Sequence, residues 1–99
     1  MYIIFDKATA DERRLEITHY SENILTNRFT GSRNFSGAEY PDLHPFAKTD
    51  FHVMEIMDGD TWLHFSGRYN EITGLNVSFD QYTRTYSLSV SIGAKDADA

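Results

Sequence analysis

The chain has 99 residues and a net charge of −6, and its length is enough for one small domain. It contains no cysteine, which excludes disulfides, thiolate metal sites and cysteine nucleophiles. The acid excess argues against direct binding to nucleic acid, and no apolar stretch approaches the roughly 20 residues that span a membrane. We therefore expect a cytoplasmic protein with a single domain over residues 1–93 and a charged C-terminal tail over 94–99.

The first elements along the chain are predicted to be strands. Tyr2 to Phe5 is a continuous apolar run, typical of a central strand that is buried on both faces. The next segment is ambiguous, because a capping-box spacing permits a helix over 10–26, which would make the fold α+β. The alternation of Leu15 and Ile17 with polar residues favours a strand from Arg13 to Tyr20 that returns antiparallel to the first.

Residues 27–50 are predicted to be a long connection. They include both prolines and two of the six glycines, which favour turns over regular structure. Aromatic residues within this stretch argue against a disordered linker, namely Phe29, Phe35, Tyr40 and Phe46. We expect the connection to pack across the sheet, over the side chains of Phe51, Val53 and Trp62.

Residues 51–70 are predicted to form a β-hairpin. The pair Asp58-Gly59 lies between apolar runs and is a strong signal for a two-residue turn. Counting outward from that turn places Trp62 opposite Glu55. Alternation then predicts a core face of Met54, Ile56, Leu63, Phe65 and His52, and a second face of Phe51, Val53, Glu55, Trp62 and His64. The second face is apolar where a solvated strand would be polar, so either the connection or a partner is expected to cover it.

Two more strands are predicted near the C-terminus. Leu75, Val77 and Phe79 alternate with polar residues, and the stretch from Tyr82 to Ile92 alternates apolar residues with Ser and Thr. The Ser/Thr face would suit solvent, and it would also suit sheet pairing if the strand lies at an edge. The sequence therefore predicts a mainly β fold, an antiparallel meander sheet of about five or six strands forming a small sandwich or partial barrel.

No catalytic set, cofactor site or metal site is predicted. The run Asp58, Gly59 and Asp60 lacks the further oxygen ligands of a calcium loop. A pairing of His64 with Glu55 is explained more simply as a cross-strand polar contact than as an acid–base pair. We therefore expect a protein without enzymatic activity.

The favoured hypothesis is a non-enzymatic, acidic protein-binding module. It would be a small inhibitor of another macromolecule with a basic surface, such as an immunity protein or a phage-encoded anti-defence protein. The predicted contact residues are Phe46, Glu55, Asp58, Asp60, Trp62 and His64. One alternative is a small-molecule-binding β-domain with a pocket between 51–70 and 27–50 and with Tyr40, Glu55 and His64 at its mouth. Another is a homodimer formed through the apolar hairpin face or by edge pairing of the Ser/Thr strand.

Overall fold

The structure is a computed structural model that describes residues 1–94, and these residues form eight strands. The strands are β1 (Tyr2–Phe5), β2 (Arg13–Glu16), β3 (His19–Asn23), β4 (Arg28–Phe35), β5 (Met54–Asp58), β6 (Thr61–Ser66), β7 (Glu71–Asp80) and β8 (Thr85–Gly93). Two short 3₁₀ turns, Gly37–Glu39 and His44–Ala47, lie between β4 and β5. Within 1–94, no helix is long and apolar enough to cross a membrane.

The strands form two four-stranded antiparallel sheets that pack against each other as a sandwich. The first sheet has the strand order β2-β1-β5-β6, and the second has the order β3-β4-β8-β7. The predicted mainly β, antiparallel fold is therefore confirmed. The order is not a meander, because β1 pairs with β5 and β4 pairs with β8, and the eight strands exceed the roughly five or six expected.

One apolar core lies between the sheets. Ile3 and Phe5 supply it from β1, which is central in its sheet as predicted. Leu88, Val90 and Ile92 supply it from β8, and they also occupy the parity that the sequence assigned to the core. Since burial of apolar surface stabilises by about 25 cal/mol per Å², these side chains account for much of the driving force for folding.

Residues 8–27 contain two strands and no helix. β2 runs antiparallel to β1 as predicted, and Leu15 and Ile17 are both buried. The predicted single strand divides at Thr18, whose backbone N–H donates to the carbonyl of Ser32 at 2.8 Å. The chain leaves the first sheet at this point and enters the second.

The predicted connection over 27–50 is wrong in its first third, because Arg28–Phe35 is a strand at an interior position of the second sheet. Phe29 and Phe35 are buried on its core face, with Gly31 between them. A Cβ at Gly31 would lie 3.2 Å from three core side chains, so this position holds a glycine for close approach. That glycine concealed the strand pattern.

The rest of the connection is held to the first sheet by a buried polar cluster. Asp6 has a positive φ of 53°, and its Oδ1 accepts the backbone N–H groups of 52–53 at 2.8 and 3.1 Å. Arg13 lies 3.7 Å from the other carboxylate oxygen and donates to the carbonyls of Lys48 and Asp50. These contacts satisfy groups that would otherwise be costly to bury.

The hairpin is confirmed, but its turn is displaced by one residue. Its two loop residues are Gly59 and Asp60, so that Asp58 pairs with Thr61. Gly59 has a φ of 61°, and a positive φ at the first loop position is what a type II′ turn requires.

A β-bulge at Leu63 changes the facing of the residues that follow. Trp62 and His64 pair with consecutive residues of β5, so Leu63 has no partner across the ladder. Because side chains alternate along a strand, the extra residue turns His64 towards the core and Phe65 outward. The faces predicted for His64 and Phe65 are therefore wrong.

The C-terminal hairpin consists of β7 and β8, which pair along almost their whole length. β8 lies between β4 and β7, so it is not at a sheet edge, and the alternative of a homodimer formed by edge pairing of this strand is wrong. The predicted tail lies, from residue 95 onward, outside the described residues.

Candidate functional site

The outward residues of the first sheet form two rows across its four strands. One row is Glu16, Tyr2, Met57 and Trp62, and the other is Arg14, Ile4, Glu55 and Phe65. The rows follow from the register, since directly paired residues of antiparallel strands point to the same face. The bulged Leu63 follows Trp62 directly in the chain and is also exposed.

Several of these side chains are exposed together. Trp62 is 59% exposed and Phe65 is 53% exposed, and their ring centroids lie 5.6 Å apart. Tyr2 and Leu63 are each 40% exposed. We name the Trp62 surface by its members Tyr2, Glu55, Met57, Trp62, Leu63 and Phe65. A contiguous exposed apolar group of this kind is typical of an interaction site rather than of ordinary solvent-facing surface.

Glu55 is the acidic member of the Trp62 surface and is only 9% exposed. It lies on β5 between Ile4 of β1 and Phe65 of β6. Its Oε2 has no hydrogen-bond partner, and the nearest cation is the Nζ of Lys7 at 3.6 Å. The carboxylate is therefore largely withdrawn from water with little direct compensation.

The edge of the Trp62 surface carries charges of both signs. Asp58 and Asp60 lie at the hairpin turn, and Asp58 is 3.9 Å from the N-terminal ammonium. Beside the turn, a depression of about 320 Å³ is lined in part by Lys7, Arg14 and Asp60. Arg14 itself is 3.7 Å from Glu12, so the basic groups here are already matched with acids.

The structure brings together some of the predicted contact residues and separates others. Glu55 and Trp62 share the outer face, with Asp60 beside them at the turn. Phe46 is buried, with its ring 5.9 Å from that of Phe5, so it is not part of the Trp62 surface. His64 faces the core, so it is not part of the Trp62 surface either. Glu55 lies on the opposite face of the sheet, so a contact between His64 and Glu55 is excluded.

His64 instead belongs to a polar cluster between the sheets. Tyr69 donates a hydrogen bond of 2.7 Å to Oε2 of Glu22, and Nε2 of His64 lies 3.6 Å from the same oxygen. Rings of Tyr20 and Phe29 surround the imidazole. Burial, and then the neighbouring Glu22 carboxylate, raise the pKa of the Tyr69 phenol. The carboxylate of Glu22 on β3 accepts the phenol O–H of Tyr69 and lies beside His64 of β6, so it links these two strands.

Sequence reasoning missed four members of the Trp62 surface. Tyr2 was placed in a strand buried on both faces, Met57 was assigned no role, and Leu63 and Phe65 were assigned to the core. The Leu63 bulge carries no sequence signature that would have corrected Phe65. The Glu22 contacts were also missed, because they join residues far apart in the chain.

A second aromatic cluster, which is exposed in part, lies on the second sheet. Phe35 stacks on Tyr86 at 5.3 Å, and Phe79 and Tyr40 contact the same Tyr86 ring at 5.0 and 5.8 Å. Phe79 and Tyr40 are both 54% exposed. Tyr40 is therefore engaged at this cluster, apart from Glu55 and His64, with which it was expected to form the mouth of a pocket.

Another depression, of about 620 Å³, is lined mainly by polar and charged groups. They include Arg14, Glu16, Thr18, Arg33, Glu39 and Asp42. Arg33 is held between two carboxylates, with Glu16 at 3.0 Å and Glu39 at 3.8 Å. Among residues 1–94, no three His, Asp or Glu side chains are grouped in a way that could hold a metal ion.

Comparisons of the chain with protein-family models, with curated proteins and with solved structures gave no significant match.

Proposed function

We propose that this protein is a non-enzymatic protein-binding module that contacts its partner through the Trp62 surface. The observation that carries the proposal is the joint exposure of Trp62, Phe65 and Tyr2 on one sheet face, with the exposed Leu63 next to Trp62 in the chain. Tryptophan and tyrosine are enriched among the residues that dominate binding energy at protein interfaces. A rigid sheet presents them with little loss of conformational entropy on binding, which favours affinity.

The proposed partner is a protein with a basic surface, and the proposed mode of action is inhibition. The chain carries 15 acidic and 9 basic residues, and three carboxylates lie in or beside the Trp62 surface, those of Glu55, Asp58 and Asp60. Complementary charge accelerates association and suppresses the wrong partners. An aromatic surface with acidic neighbours is suited to covering a basic cleft of an enzyme.

Site-specific photo-crosslinking in cells of the source organism tests the location of the interface. The photoreactive residue benzoylphenylalanine replaces Phe65 in one variant and Phe79 in a matched control, since these rings are 53% and 54% exposed. We expect a discrete adduct with one basic protein from position 65 and none from position 79. The purified partner is then assayed with increasing amounts of the chain, and its activity is expected to fall to a plateau at one equivalent.

Other results would count against the proposal. An adduct from position 79 alone would move the interface to the aromatic cluster of the second sheet. An adduct of the chain with itself at position 65, accompanied by a dimer in sedimentation, would mean that a second copy covers the Trp62 surface. If the captured partner's activity does not change, the assignment of the interface stands, but the proposal that the protein is an inhibitor is contradicted.

A further inference from the structure

Glu55 holds a position where an apolar residue would be expected. It lies on the interior strand β5, its direct neighbours on the outer face are Ile4 and Phe65, and it is 9% exposed. Burial of a carboxylate oxygen without a hydrogen bond is unfavourable. Oε2 of Glu55 is in that condition, so the carboxylate is poorly explained by the stability of the sheet alone.

The cation nearest to Glu55 is easily displaced. Nζ of Lys7 lies 3.6 Å from Oε2, beyond ordinary hydrogen-bonding distance, and the Lys7 side chain is 42% exposed. Lys7 lies two residues after the end of β1 and belongs to a turn, so its side chain has room to leave. An incoming cation that makes shorter hydrogen bonds to Glu55 would therefore replace the Lys7 ammonium at little cost in free energy.

Aromatic rings border the carboxylate on its other side. Phe65 lies directly opposite Glu55 across the ladder, and the Trp62 ring is 5.6 Å from Phe65 with the planes inclined by 41°. Ring faces attract cations, and tryptophan does so most strongly. A carboxylate beside inclined rings matches a guanidinium group, which accepts stacking and donates two parallel hydrogen bonds to one carboxylate.

We infer that Glu55, Trp62 and Phe65 receive an arginine side chain of the partner protein in place of Lys7. The inference rests on the proposed function and specifies its chemistry. The guanidinium hydrogen-bonds to the Glu55 carboxylate and stacks on the exposed rings, while Lys7 moves into solvent. Lysine is the weaker ligand here, since a single ammonium can neither stack nor bond through a planar fork.

The test uses a nonapeptide of alternating glycine and arginine, with matched peptides that carry citrulline or lysine in place of arginine. Citrulline keeps the shape of arginine and removes its charge. Trp62 is the only tryptophan, so its fluorescence reports binding at this surface without a label. We expect the arginine peptide to shift the emission, the lysine peptide to bind more weakly and the citrulline peptide to have no effect.

Three variants separate a specific site from general charge attraction. Glu55→Gln should weaken the arginine peptide about tenfold or more, as expected for loss of a charge-assisted hydrogen bond. Asp60→Asn removes the same charge from the exposed turn and should weaken it much less. Lys7→Ala removes the competing ammonium and should strengthen binding. Circular dichroism of each variant establishes that it is folded.

The inference is overturned if Glu55→Gln and Asp60→Asn weaken binding equally, if Lys7→Ala weakens it, or if the arginine peptide leaves Trp62 emission unchanged at millimolar concentration. These results do not bear on the proposed function itself. If a basic protein still crosslinks at position 65, the proposed interface stands and only the arginine site is excluded. If neither the crosslinking nor the peptide experiment gives the expected result, the proposed interface and the arginine site are both excluded.

Discussion

Trp62 and Phe65 face the same side of β6 although they are three positions apart, an offset that would place them on opposite sides of a regular strand. The reason is that Leu63 is bulged out of the ladder. The pairing makes a sharp prediction. Deleting Leu63 would leave Trp62, His64 and Phe65 opposite the same residues of β5 as before. The deletion variant should fold, lose less than about 1 kcal/mol of unfolding free energy, and keep Trp62 exposed. Urea unfolding followed by tryptophan fluorescence measures both properties.

The matched control is deletion of Phe65. It would shift Ser66, which is now buried at 8% exposure, to the outer face and would displace the residues after it. This variant should lose more than about 2 kcal/mol. Similar losses for the two deletions would show that the bulge is itself required for stability.

Trp62→Ala should separate binding from stability. The side chain is 59% exposed, so its removal should cost less than about 1 kcal/mol of unfolding free energy while crosslinking from position 65 is lost or greatly reduced. Phe46→Ala provides the contrast. Phe46 is buried against Phe5, so its truncation should cost about 3–5 kcal/mol by cavity formation. The measurement is chemical denaturation of each purified variant, and a large loss for Trp62→Ala would contradict its assignment to the interface.

Glu55→Gln should leave the stability unchanged or raise it by up to about 1 kcal/mol. The carboxylate oxygen Oε2 is buried without a hydrogen bond, and a neutral amide is less costly to remove from water. Lys7→Ala should have the opposite sign, because it leaves that carboxylate without its nearest cation. Its cost should be modest, about 1 kcal/mol or less, since the lysine is partly solvated. A destabilising Glu55→Gln would mean that the carboxylate is a structural group.

Asp6→Ala should be among the most damaging substitutions in the chain. It removes the acceptor of two backbone N–H groups and leaves the buried Arg13 guanidinium without its carboxylate, for a loss of about 3–4 kcal/mol. Asp6→Asn should cost clearly less, because asparagine retains an acceptor oxygen and tolerates the φ of 53°. Thermal unfolding at neutral pH compares the two, and equal losses would contradict the role assigned to the hydrogen bonds.

Tyr69 should make the fold sensitive to alkali. Burial and the Glu22 carboxylate raise the pKa of the phenol above its ordinary value of 10.0, so the protonated form is favoured in the folded state. The stabilisation is therefore complete below pH 10 and is lost as the pH rises through the folded-state pKa. Tyr69→Phe should lower stability by about 1 kcal/mol at neutral pH and reduce the alkaline decline. Unfolding free energies of both proteins from neutral to alkaline pH test this, and parallel pH profiles would contradict it.

The parts of the fold that were predictable are those where burial imposes a period. β1 is apolar throughout because Ile3 and Phe5 face the core while Ile4 is also covered, and β8 alternates because its Ser/Thr face is outward. β4 escaped prediction because close packing replaced a core side chain with Gly31. Such a tertiary requirement has no local signature.

The candidate site divides in the same way. Trp62 and Glu55 were assigned to one face from alternation alone, and this part of the interpretation is confirmed by the register. The faces predicted for Phe65 and His64 are reversed in the structure, because the bulge turns Phe65 outward and His64 towards the core. The bulge depends on how β6 meets the rest of the sheet. Phe46 was expected at the partner surface, but its ring fills the end of the core beside Phe5.

The pairing of β1 with β5 joins opposite halves of the chain, and this governs when the Trp62 surface can exist. Closing so long a loop costs chain entropy before any contact compensates for it, which slows folding. Tyr2 emerges from the ribosome long before Met57, its neighbour on the finished sheet. The proposed partner could therefore engage this face only after the sheet has closed, because the face is not assembled before then.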